Sequence, residues 1–130
     1  MNPFIIESSV FCEGARLEAG GKFILFGVTP PDVRLSTLPA AIPLAIWLSI
    51  RPLMVDKFRI FTRALDTDKR EILRGTIDGE TVSLERTALL IGPVLLTIEK
   101  IGGYDFEWSS DETNWEKMTS FNITGVGIPT

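Results

Sequence analysis

The chain has 130 residues, 45% apolar and 23% charged, with 13 Lys and Arg against 17 Asp and Glu and a net charge of −4. Ordinary globular usage argues against disorder, and the acidic balance disfavours a general nucleic-acid binder, which needs clustered excess cations to neutralise phosphates. With no histidine and one cysteine, Cys12, a Ser-His-Asp or Cys-His centre, a zinc site built on His or paired Cys, and an internal disulfide are excluded within one chain.

Residues 4–11 are rich in β-branched and aromatic side chains and predict a strand. Glu18-Ala19-Gly20-Gly21 predicts a hairpin turn, because glycine takes positive φ without a Cβ clash. Residues 22–28 (KFILFGV) form a continuous apolar run, which predicts a central strand covered on both faces. Thr29-Pro30-Pro31-Asp32 predicts a loop, since proline cannot donate to a ladder. Residues 35–41 fit a short helix.

Residues 42–50 alternate cleanly. Ile42, Leu44, Ile46, Leu48 and Ile50 share one face, while Pro43, Ala45, Trp47 and Ser49 share the other. Residues 56–64 alternate again, with Phe58 and Ile60 on one side and Lys57, Arg59, Phe61 and Arg63 on the other. Asp66-Thr67-Asp68 predicts a turn, residues 71–77 a strand, and Asp78-Gly79 a second turn. Residues 81–85 fit a short strand, and 82–90 also fit a short helix. Residues 89–100 predict a strand interrupted at Gly92-Pro93, at an edge or a bulge. Gly102-Gly103 predicts a turn. Tyr104, Phe106 and Trp108 then alternate with Asp105 and Glu107 as a half-buried strand, and 118–124 is the last strand. The tail 125–130 carries little pattern. The whole predicts one all-β domain over 1–130, a single antiparallel β-sandwich of about eight strands with at most one short helix.

The opening residues have no basic leader followed by a long apolar run, so no signal peptide is expected. The apolar runs 38–50 and 88–98 are too short to cross a bilayer and contain prolines. A cytoplasmic or virion location, away from a membrane, is the expectation.

Cys12 lies on an apolar strand and reads as a small buried hydrophobe. Paired carboxylates as in glycoside hydrolysis are sought at Asp66/Asp68 and Asp105/Glu107, but alternation puts the second pair on the solvated side. Calcium, which wants clustered carboxylates and carbonyls on loops, is sought at Asp66/Asp68, Asp78/Glu80 and Asp111/Glu112; Asp is also a common turn residue for purely local reasons. The stripe Lys57, Arg59, Phe61, Arg63 interleaves cations with an aromatic. It fits an anionic ligand, a charged assembly surface, or a solvated face paired with acids across the sheet. Eight of the 13 basic residues fall between 51 and 86, while 105–116 carries five acids and no base, an asymmetry able to steer one copy onto another or onto a partner. Trp108 reads as core. Trp47 and Trp115 join the stripe as candidate interaction residues, since a Trp on the surface marks an interface anchor.

The segment 11–28, FCEGARLEAGGKFILFGV, resembles the opening of a family of small bacterial and phage-encoded β-sandwich proteins of unknown function. In that family a strand leads through a Gly-Gly-Lys turn into a second strand. Pro39, Ile42, Pro43, the strand to Ile50 and Gly103-Tyr104-x-Phe106 also fit. The resemblance implies a small β-sandwich and no catalytic residues. With it, the residues lead to a non-catalytic interaction or assembly module, such as a phage virion or accessory structural protein. Its partner would be another protein or a second copy, with no cofactor and no metal. The alternative is a small-ligand or calcium-dependent binding domain using strand-end loops. A carboxylate hydrolase ranks third.

Overall fold

The computed structural model describes residues 2–125, and among them ten strands and no helix. β1 (Phe4–Cys12), β5 (Ala40–Pro52) and β8 (Thr87–Ile98) form a three-stranded sheet in the order β1-β5-β8. β4 (Asp32–Leu35), β6 (Lys57–Leu65), β7 (Glu71–Glu80), β9 (Gly102–Ser109) and β10 (Glu116–Gly125) form a five-stranded sheet in the order β4-β10-β9-β6-β7. β2 (Gly14–Leu17) and β3 (Phe23–Phe26) pair only with each other, as a ribbon.

The two larger sheets face each other across one core, a sandwich-like arrangement. From β1, Phe4 stacks on Trp108 of β9 (ring centroids 4.8 Å apart) and meets Phe58 of β6 edge-on at 5.4 Å. Phe11 meets Phe106 and Phe121 edge-on at 5.6 and 5.3 Å. The predicted alternations hold here: Leu44, Ile46, Leu48 and Ile50 are buried on β5, and Tyr104, Phe106 and Trp108 on β9. The Tyr104 hydroxyl donates to the Lys100 carbonyl at 2.7 Å, so this buried phenol is satisfied. Cys12 is fully buried, and desolvation pushes its thiol up, which keeps it protonated and unreactive.

Several expectations are corrected. The strands number ten in three sheets, rather than about eight in one antiparallel sandwich, and β4 runs parallel to β10 (Asn122↔Asp32 to Gly125↔Leu35). The prolines at 30 and 31 hid β4, whose Val33 and Leu35 pack on the core while Pro31 offers its carbonyl to the Asn122 N–H at 2.7 Å. Neither short helix forms: 35–41 runs into β5, and 82–86 is a loop. Asp78-Gly79 does not turn but extends β7 opposite Arg59 and Phe58, and Gly102-Gly103 opens β9 opposite Ile123 and Asn122.

The run 22–28 is not central. The turn closes locally, with Glu18 N–H donating to Lys22 O at 2.7 Å and Gly20 and Gly21 at φ 93° and 80°. β3 therefore pairs with its own neighbour β2 and not with either large sheet. From 126 onward the tail lies outside the described residues. Among the described residues no helix is long and apolar enough to cross a membrane.

Candidate interaction surfaces

The outer face of the five-stranded sheet carries the predicted stripe. Ile60 and Ala64 of β6 are fully buried, so alternation sends Lys57, Arg59, Phe61 and Arg63 outward. Register then chooses their neighbours on β7: Lys57↔Glu80, Arg59↔Asp78, Phe61↔Thr76 and Arg63↔Arg74. Arg59 grips Asp78 with two donors, Nε to Oδ1 at 2.6 Å and Nη2 to Oδ2 at 3.1 Å. That hydrogen bond holds the Asp78 carboxyl below its ordinary range and the guanidinium above its own.

Arg63 and Arg74 are like charges directly opposite, a destabilising pair if left bare. Acids and an aromatic resolve the conflict. Arg63 Nη2 lies 2.7 Å from Glu107, while Arg74 reaches Glu71 at 2.7 Å and Glu112 at 2.9 Å. The Trp115 ring lies 4.1 Å from the Arg63 guanidinium and 5.2 Å from that of Arg74, so both cations meet its π face. Asp111 builds the loop that delivers Trp115. Its carboxylate accepts from the Thr113 and Asn114 N–H groups (both 2.8 Å), the Asn114 amide (2.8 Å) and the Ser109 hydroxyl (2.9 Å). These donors, the Asn114 N–H foremost, drive its pKa far below the ordinary carboxylate range. Trp115 Nε1 donates back to the Glu112 carbonyl at 3.2 Å.

Three more of the acids considered for calcium or catalysis, Asp66, Asp68 and Asp105, are engaged locally. Asp66 accepts from the Asp68 and Arg70 N–H groups, both at 2.9 Å; Asp68 pairs with Lys100; Asp105 pairs with Lys69 at 2.7 Å and Lys117 at 3.6 Å. Lys69 is the main cause of the lowered Asp105 pKa. Among the described residues no three acids or thiols converge as a metal would require.

Of the six residues singled out in the sequence, Lys57, Arg59, Phe61, Arg63 and Trp115 thus share one face. Trp47 does not join them. It faces outward from the three-stranded sheet, beneath the ribbon, where Phe23 meets it at 6.3 Å. Its buried Nε1 has no hydrogen-bond partner among the described residues, a state that costs about 1–3 kcal/mol.

The ribbon is the surface sequence reasoning missed, because it was assigned to the core. One face, with Phe23 and Leu25, is half-buried toward the body. The other presents Ile24 and Phe26, 44% and 52% exposed; Leu17, opposite Phe23, and Val28, just past β3, are exposed as well, at 61% and 60%. The Phe26 ring lies on Gly14, where an added Cβ would come within 2.4 Å of it. Arg16 and Glu18 pair at 2.8 Å beside this apolar patch.

A second unforeseen feature is an apolar cleft of about 240 Å³ between the two large sheets, lined by both edge strands, β7 and β8. Two local features open it. On the five-stranded sheet, Thr62, Ala64 and Gly75 place small groups where large ones would fill the core. On the other sheet, pairing slips between Leu44 and Ile46, so that Gly92 and Pro93 bulge. Gly92 has φ 93°, and a Cβ there would meet the Leu44 carbonyl at 2.9 Å.

No family model and no curated protein matches the chain. Among solved structures it is similar to a β-glucosidase from Erythrobacter marinus, with a TM-score of 0.37 and 11% identity, covering 71% of this chain and 14% of that one. The chain thus spans a small part of that enzyme, and a likeness at this level assigns neither fold nor function.

Proposed function

We propose that the chain is a single β-sandwich acting as a non-catalytic interaction module, docking a second copy of itself or another protein through the β2–β3 ribbon. One observation carries this reading: Ile24 and Phe26 are exposed side by side on one face of an arm that pairs with neither large sheet, with Leu17 and Val28 exposed at its ends. Contiguous exposed apolar side chains on a folded domain mark interaction sites. Burying such a side chain contributes at most about 1.5–3 kcal/mol, so Ile24 and Phe26 can anchor a modest interface. An accessory component of a phage virion is one setting that would use this face. The non-catalytic part is supported by the engagement of Asp66, Asp78, Asp105 and Asp111 in local hydrogen bonds and ion pairs.

The test is solution mass by light scattering, from micromolar to millimolar protein, on the wild type and on Ile24→Lys. Ile24 is the choice because Phe26 also covers Gly14. Concentration-dependent association that Ile24→Lys abolishes supports self-docking. A wild type that stays monomeric throughout, or association that the substitution leaves intact, rejects it.

A further inference from the structure

We infer that the cleft between the edge strands β7 and β8 is a binding site for a small, compact, mainly apolar molecule bearing one hydrogen-bonding group, such as an alkylphenol. The inference stands apart from the ribbon, which faces elsewhere.

Three observations carry it. The first is size. An apolar cavity of roughly 150 Å³ accepts a benzene-sized guest, and the cleft holds about 240 Å³, room for a substituted benzene. It is too small for a long acyl chain or a nucleotide. The second is the lining. Leu44, Ile46, Leu73, Ile77, Val94 and Met118 supply apolar walls from both sheets, and no carboxylate is among the lining residues. Arg63 and Arg74 border the cleft but already hold Glu107, Glu71 and Glu112, so a charged ligand would lose its hydration there without a free partner. The third is a hydroxyl that faces into the cleft. Thr62 faces inward between buried Ile60 and Ala64, and its Oγ1 lies 3.1 Å from where a Gly75 Cβ would stand. Gly75 keeps the space over that hydroxyl clear, so a guest can place a hydroxyl against it.

The hollow is also built from both sides. Larger residues at 64 and 75 would fill it, and a regular β5–β8 ladder without the bulge at Gly92-Pro93 would move Leu44 and Ile91. A gap left empty forfeits dispersion contacts on all its walls, and a guest restores them.

The experiment is a titration of the full chain with p-xylene and, separately, p-cresol, followed by amide chemical shifts. Saturable 1:1 changes confined to the strands lining the cleft are expected with both. Thr62→Val should weaken p-cresol about tenfold, the worth of one hydrogen bond, and leave p-xylene within about twofold. Thr62→Ser, which keeps the hydroxyl, should retain the p-cresol affinity. Val94→Trp, at a lip residue 37% exposed, should block both probes by filling the mouth. The site is overturned by shifts that never saturate, by shifts centred on the ribbon, or by unchanged binding in Val94→Trp. Equal weakening of both probes by Thr62→Val overturns the role given to its hydroxyl.

Discussion

Phe4→Ala probes whether the two large sheets fold as one unit. Phe4 sits on β1, an edge strand of the three-stranded sheet, yet its ring packs on Trp108 and Phe58 of the other sheet and is 1% exposed. Truncating a buried phenylalanine costs about 3–5 kcal/mol, from lost transfer energy plus the cavity left behind, and the lost aromatic pairs push this toward the upper end. Total stability for 130 residues is about 7–20 kcal/mol, so the variant folds but with much less reserve. With a urea slope of about 2 kcal/mol per molar, the midpoint should fall by about 2 M. Trp47 lies on the outer face of one sheet and Trp115 on that of the other. The indole N–H signals of Trp47 and Trp115, followed by NMR through the urea titration, therefore report each sheet separately and leave Trp108 in place. Both reporters should move to the same lower midpoint. If the Trp115 transition stays put while the Trp47 transition falls, the sheets do not share a cooperative core and the reasoning fails.

Two further outcomes follow from the charged face. Trp115→Ala removes the ring that Arg63 and Arg74 share; it should cost about 1 kcal/mol, with a smaller loss at high salt, where the bared repulsion between the arginines is screened. A loss that does not change with salt would discount the repulsion. Asp111 has a folded pKa far below its unfolded value of about 3.9. Its stabilisation is therefore present above about pH 4 and is lost as pH falls through the folded value. Asp111→Asn should melt lower than wild type at neutral pH, with the gap narrowing toward pH 2; a constant gap would mean the carboxylate charge is not what holds the loop.

Much of the core was legible because period-2 alternation survives wherever one face meets the other sheet. Residues 42–50 and 104–108 are the clear cases. The errors share a cause. Apolar continuity at 22–28 implied two covered faces, but a local hairpin closes before distant pairing can compete, and the ribbon remains outside. Asp78-Gly79 has turn composition, yet Gly79 stays within β7, one residue from its end, with the Phe58 ring in the space above it, 2.4 Å from where a Cβ would be. A cross-strand aromatic over a glycine leaves no trace in a single strand's sequence. The stripe was found by alternation alone, while its association with Trp115 depends on the 110–115 loop, whose geometry comes from Asp111. The cleft depends on which small residues fall opposite one another, such as Thr62 and Gly75, and register is invisible until both strands are placed.

The charge pattern bears on which side would meet a partner. On the five-stranded face Arg59, Arg63, Arg74 and Asp105 all have partners within the chain. A protein approaching that face must desolvate pairs that water already serves, and exposed pairs of this kind contribute little net energy. The ribbon side carries only one such pair, Arg16–Glu18, with Arg16 opposite Ile24 and well exposed, so the penalty there is smaller. Covering Ile24 and Phe26 removes apolar surface from water at about 25 cal/mol per Å², and the Arg16–Glu18 pair can remain at the wet rim. The two faces therefore differ in how salt acts. Docking through the ribbon entails an association constant nearly indifferent to ionic strength. Docking through the Lys57–Arg63 stripe entails one that weakens as salt screens it. A steep salt dependence of self-association would move the interface from the ribbon to the charged sheet, whatever the apolar exposure of β3.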